Sequence, residues 1–70
     1  MLKMAYKFSL YAKKSRKAYD DKAVDVHWAS SIIEAKKFFE AKGYVGEYII
    51  LNNNTGQRMQ VILKDFKKEQ

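Results

Sequence analysis

Seventy residues with no cysteine and a net charge of +6 make one domain, 1–70, that neither disulfides nor a closed thiolate zinc site can hold together. Hydrophobic residues are 47% of the chain, which excludes a disordered tail, and no apolar run approaches the ~20 residues that span a bilayer. The excess charge is local, because Met1 to Lys17 holds six basic residues and no acid while the other 53 residues balance eight against eight.

Lys3 and Lys7 break the apolar character of the N-terminus and argue against a signal peptide, so a cytoplasmic protein is expected. A core this small only narrowly offsets the chain entropy lost on folding. With disulfides and zinc excluded, oligomerisation is the remaining source of stability.

The first element is a strand. Met4, Tyr6, Phe8, Leu10 and Ala12 alternate with Lys7, Ser9, Tyr11 and Lys13, a period of two that sets an apolar face against a lysine-bearing one. Lys13 to Asp25 is polar, carries the acidic pair Asp20 and Asp21, and has no periodicity; it reads as a connection with at most a short turn of helix. A helix follows. Ser31 and Glu34 have capping-box spacing, with Asp25 as a rival start. Trp28, Ile32, Ala35 and Phe39 then recur on one helical face, widened by Phe38, while Lys36, Lys37, Glu40 and Lys42 occupy much of the rest. Gly43 supplies the left-handed end of the helix and puts Tyr44 where it can pack on Phe39.

Val45 to Leu51 and Gln57 to Phe66 are β-rich runs joined by Asn53-Asn54-Thr55-Gly56, the pattern of a type I turn closed by a left-handed glycine and a bulge. With Asn53 opposite Gln57, Leu51 faces Met59, Ile49 faces Val61 and Glu47 faces Leu63. The other face then carries Tyr48 against Ile62 and Ile50 against Gln60, with Tyr44 and Phe66 near the end.

These elements predict an α+β fold of order β-α-β-β, a three-stranded antiparallel sheet with one packed helix. The first strand pairs with the last, which becomes central. A single helix covers a single face of the sheet. Tyr48, Ile50, Ile62 and Phe66 are therefore expected to form an exposed apolar patch that a homodimer would bury. The alternative is a monomer in which the segment from Lys14 to His27 folds over this patch, with Val24 and Val26 as the cover.

The layout resembles the small prophage proteins of bacilli of the YopT type. The resemblance rests on length, on the strand, helix and hairpin order, and on the runs Met4 to Ala12, Ser31 to Gly43 and Tyr48 to Phe66. It implies a homodimer of phage or prophage origin and carries no chemistry.

His27 with Asp25, Asp20 and Asp21 is the one cluster suggestive of acid–base or metal chemistry, and Asp25 and His27 would share a face only in a strand. No cysteine nucleophile or glycine-rich phosphate loop accompanies them, and Ser30 and Ser31 read as helix caps. No catalytic, cofactor-binding or metal-binding residue is therefore expected, and the chain does not read as an enzyme. The run Lys13, Lys14, Arg16 and Lys17 could neutralise phosphates, with Tyr6, Tyr11 and Tyr19 available for stacking. No helix-turn-helix, recognition-motif aromatics or zinc-finger spacing appears. No lysine-rich amphipathic helix adjoins the run, which argues against a membrane partner. The expectation is a non-enzymatic accessory protein that acts as a homodimer on an unidentified protein partner, with nucleic-acid binding through the basic run as the alternative.

Overall fold

The computed structural model describes residues 5–14 and 18–65. The element order is β1 (Tyr6–Ala12), β2 (Asp25–Ala29), α1 (Ile32–Lys42), β3 (Gly46–Asn52) and β4 (Arg58–Leu63). The strands form one sheet of order β2-β1-β3-β4 in which every neighbouring pair is antiparallel. The fold is thus α+β with one helix against one antiparallel sheet, but the sheet has four strands where three were expected.

The alternation in β1 does what its period dictates. Phe8 and Leu10 are buried against the helix side, and Tyr6 packs beside them. Lys7 and Tyr11 belong to the opposite face, together with Ser9. From the helix, Ala35 and Phe39 are buried, while Ala29 from β2, Ile50 from β3 and Val61 and Leu63 from β4 complete the core. Each large side chain fully buried here contributes about 1.5–3 kcal/mol of transfer free energy.

The fourth strand comes from the segment expected to be a connection. After β1 the chain turns back on itself: Lys14 N–H donates to the Ala18 carbonyl (2.8 Å), Lys13 bridges Tyr19, and Asp20 N–H donates to the Ala12 carbonyl (2.9 Å). It then runs along β1 as β2, with Phe8 opposite His27 and Lys7 opposite Trp28. Trp28 is consequently a strand residue, 57% exposed, and not part of the helical stripe. Its spacing to Ile32 mimics a helix, but Val26 and Trp28 also alternate with Asp25, His27 and Ala29 at the period of a strand. The Ser30-Ser31 pair separates the two periods.

The helix ends match the expectation. Ser31 is extended (φ −151°, ψ 163°), and its hydroxyl accepts the Glu34 N–H at 3.2 Å. The Glu34 carboxylate in turn accepts from the Ser30 hydroxyl at 2.6 Å. At the other end Gly43 is left-handed (φ 107°), Gly43 N–H donates to the Glu40 carbonyl and Tyr44 N–H to the Phe39 carbonyl. Those two bonds, with the Tyr44 ring edge-on to Phe39 at 6.1 Å, make a Schellman ending with its hydrophobic contact.

The strand order corrects a second expectation. β1 pairs with β3, not with the last strand, and β4 is an edge. Tyr48-Ile49-Ile50-Leu51 is apolar on both faces and suits a central strand; Arg58 and Gln60 put polar side chains on one face of β4 and suit an edge.

The hairpin register is also shifted by one residue. Leu51 lies opposite Arg58, Ile49 opposite Gln60, Tyr48 opposite Val61 and Glu47 opposite Ile62. The loop is four residues long because the Asn52 side chain organises it: Oδ1 accepts the N–H groups of Asn54 (2.9 Å) and Thr55 (3.2 Å). Gly56, left-handed at φ 82°, donates to the Asn52 carbonyl at 2.7 Å. A one-residue slip exchanges the faces of one strand relative to the other. Tyr48 and Ile50 therefore share the helix side with Val61 and Leu63.

Two substitutions check this account. A methyl group at Gly43 would meet nothing within 4 Å, so Gly43→Ala carries only the left-handed penalty; denaturant unfolding should show a loss of ~1 kcal/mol. Asn52→Ala removes both loop bonds from a side chain in a residue only 5% exposed, and should lower stability by about 1–2 kcal/mol in the same measurement.

Candidate functional site

The face of the sheet away from α1 is the principal surface feature. Cross-strand pairing places Val26, Ser9, Leu51 and Arg58 in one row, Tyr11, Ile49 and Gln60 in the next, and Lys13, Glu47 and Ile62 in a third. Trp28 stands beside Lys7 at one corner. Trp28 and Ile62 are 57% and 65% exposed, and Val26 is exposed with them. Ile49 and Leu51 are half-buried between these groups.

The chain reversal after β1 partly overhangs this face. Tyr19 and Asp20 line a half-open cleft of ≈ 400 Å³ together with Tyr11, Ile49, Leu51 and Arg58. Its lining combines two aliphatic side chains, two phenol rings and one charge of each sign. Val24 and Val26, the expected cover, remain exposed and sit on the β2 side instead.

The expected dimer patch does not exist as one surface. Ile50 is wholly buried under α1 and Tyr48 packs against the core, whereas Ile62 is on the open face. The register shift is the physical reason. Phe66 lies outside the described residues. Ile49 and Leu51 of β3 take the place of Tyr48 and Ile50 on the face that carries Ile62, and Val26 and Trp28 stand on the same face at the opposite, β2 edge. The alternation of Val26 and Trp28 was the available signal for two of them; Ile49 and Leu51 depended on the loop length.

Of the basic run, Lys13 is paired with Glu47 at 2.8 Å across the β1–β3 ladder, and that bond raises its pKa. Lys14 is exposed. Arg16 and Lys17 lie outside the described residues. Tyr11 and Tyr19 meet at the cleft, while Tyr6 belongs to the helix side and packs on the core.

Asp25 and His27 do share a face, because both are in a strand, and it is the face under the helix. His27 is stacked on Phe38 with ring centroids 3.3 Å apart. The Asp25 carboxylate accepts the Val26 N–H (2.8 Å), the Lys42 ammonium (2.5 Å) and the Tyr44 hydroxyl (3.0 Å). The Lys42 hydrogen bond chiefly holds the Asp25 carboxyl below the usual range, and the same bond raises Lys42. Burial, then the bond to Asp25, pushes the Tyr44 phenol up. Asp20 faces the cleft and Asp21 is exposed, so the four members of the expected cluster are dispersed. Among the described residues, no three His, Cys, Asp or Glu side chains converge as a metal site would require. Among the same residues, no helix is long and apolar enough to cross a membrane.

The chain matches no protein-family model, no curated protein and no solved structure.

The Asp25 triad makes a pH prediction. A depressed carboxyl contributes stability that is complete above its ordinary value of 3.8 and is lost as pH falls through the lower folded value. Asp25→Asn should therefore lower stability at neutral pH and flatten the acid limb of the stability profile below 3.8. An acid limb identical to that of the parent chain would contradict the assignment. Lys42 contributes in the opposite sense, with its share present below 10.5 and lost as pH rises through its raised folded value.

Proposed function

We propose that this chain is a non-enzymatic binding protein that pairs with a second copy and docks on another protein through the open face of its sheet. The observation that carries the reading is the exposure of Trp28, Val26 and Ile62 on the sheet face away from α1, around the part that the chain reversal overhangs. Exposed large side chains gathered on one face mark an interaction surface in a small protein. Lys7 and Arg58 stand on the same face, and Lys14 is exposed at the adjoining chain reversal. The complementary partner is an apolar protein surface with an acidic rim. An accessory role of this kind accords with the prophage resemblance.

One observation favours nucleic acid as the second reading: Tyr11, Tyr19 and Arg58 converge on the cleft, an arrangement suited to stacking a base beside a cation. Against it, Lys13, one of the four cations of that run, is already paired with Glu47.

A cross-linker at position 28, used in the native cell, identifies the partner, and the purified pair is then titrated. Trp28→Ser should weaken binding by at least about tenfold, because interface tryptophans commonly exceed ~1.4 kcal/mol, without changing the melting midpoint. Replacing Lys13, Lys14, Arg16 and Lys17 by Gln should leave most of the affinity. The second reading expects the reverse: oligonucleotide binding with a log–log salt slope of about −2 to −3, abolished by the quadruple substitution. Undiminished partner binding by Trp28→Ser would overturn the proposal.

A further inference from the structure

The two edges of the sheet are finished differently. Asn52 N–H donates to the Gln57 carbonyl at 2.8 Å, which sets the phase of the β3–β4 ladder. Bonded and non-bonded pairs alternate in an antiparallel ladder, so Met59, Val61 and Leu63 turn their main-chain groups toward β3. Arg58, Gln60 and Ile62 turn theirs away from the sheet. The next outward amide, that of Lys64, is taken by the Glu40 carboxylate of α1 at 2.9 Å. Among the described residues, the amides of Arg58, Gln60 and Ile62 have no acceptor.

The β2 edge is blunted. Val24 N–H donates to the Leu10 carbonyl although Asp25 lies opposite Leu10, a bulge at the start of the strand. Within β2 only Val26 and Trp28 face outward, and the Asp25 carboxylate caps the Val26 amide. Bulges, short length and capped amides are the devices that protect an edge from pairing. Over residues 58–63, β4 has no bulge, no capped amide, and no lysine or proline; Arg58 is its one charged residue.

We propose that the outer edge of β4 is a homodimer seam, in which two copies of β4 pair antiparallel about a two-fold axis at Gln60. The inference rests on the self-pairing reading above and specifies where that pairing occurs. In this register Gln60 faces the partner's Gln60 and Arg58 faces the partner's Ile62, so all three outward pairs are used and no like charges oppose each other. The seam gains about six main-chain hydrogen bonds. On the helix side, half-exposed Met59 meets the partner's Val61. A two-fold pairing centred on Arg58 would instead oppose two guanidinium groups. The strand is thus self-complementary in the Gln60 register, with its three free outward amides and no opposed like charges, which fits a second copy as its occupant. The two sheets become one continuous sheet, and the open faces stay free for a protein partner.

The absence of cysteine permits a direct test. In a bonded antiparallel pair the Cα atoms are about 5.5 Å apart, so Gln60→Cys should be joined to its own copy by a short bifunctional thiol cross-linker. Val26→Cys, on the other edge, should not. Gln60 is exposed, and Gln60→Lys places two like charges on the axis without removing a core contact. Sedimentation equilibrium should then show the dimer weakened by about tenfold. A dimer that links through Val26→Cys and not through Gln60→Cys would overturn the seam while leaving self-pairing intact. A folded monomer of the parent chain at high micromolar concentration would overturn both.

Discussion

One helix must serve four strands. An α-helix with its side chains is about 10 Å across, whereas four strands extend about 15 Å from the first axis to the last. α1 therefore cannot cover even its own side completely, which leaves the edge residue Met59 half-exposed, and it covers none of the other side. The placement of the core, the exposure of Trp28 and the identity of the candidate surface all follow from that shortage of covering elements.

Polar contacts set where the helix lies. The Asp25 carboxylate gathers Lys42 from the last turn and Tyr44 just beyond it, which ties the β2 edge to the helix C-terminus. At the other edge Glu40 takes the Lys64 amide. These contacts are mostly near the surface, so each adds modestly to stability. Their larger consequence is positional: one helix is anchored to both edge regions, with the Phe39 ring buried between them. His27, stacked on Phe38, fills the side of this arrangement.

Local signals in the chain were legible where chemistry and geometry coincide within a few residues. The cap at Ser31, the ending at Gly43 with Tyr44 on Phe39, and the alternation of β1 all depend on neighbours in sequence. Features that depend on residues distant in sequence were not legible. Trp28 satisfies both a helical step to Ile32 and a strand alternation with Val26, and only pairing with Lys7 of β1 decides between them. The hairpin register turned on whether its loop holds three residues or four, a choice made by the buried side chain of Asn52. Because strand side chains alternate, that single residue of loop length exchanged Tyr48 and Ile50 for Ile49 and Leu51 on the open face. An uncovered apolar face was foreseeable from the count of elements, but its residues were not.

Trp28 is the only tryptophan in the chain, so its fluorescence reports on the central claim without interference. If α1 leaves the Trp28 corner of the sheet open and self-pairing runs along β4, the indole emits as a solvent-exposed one. Acrylamide should quench it freely, with the same constant in dilute and concentrated samples. A blue-shifted emission shielded from quencher in dilute solution would mean that another part of the chain covers the face, and would contradict the account.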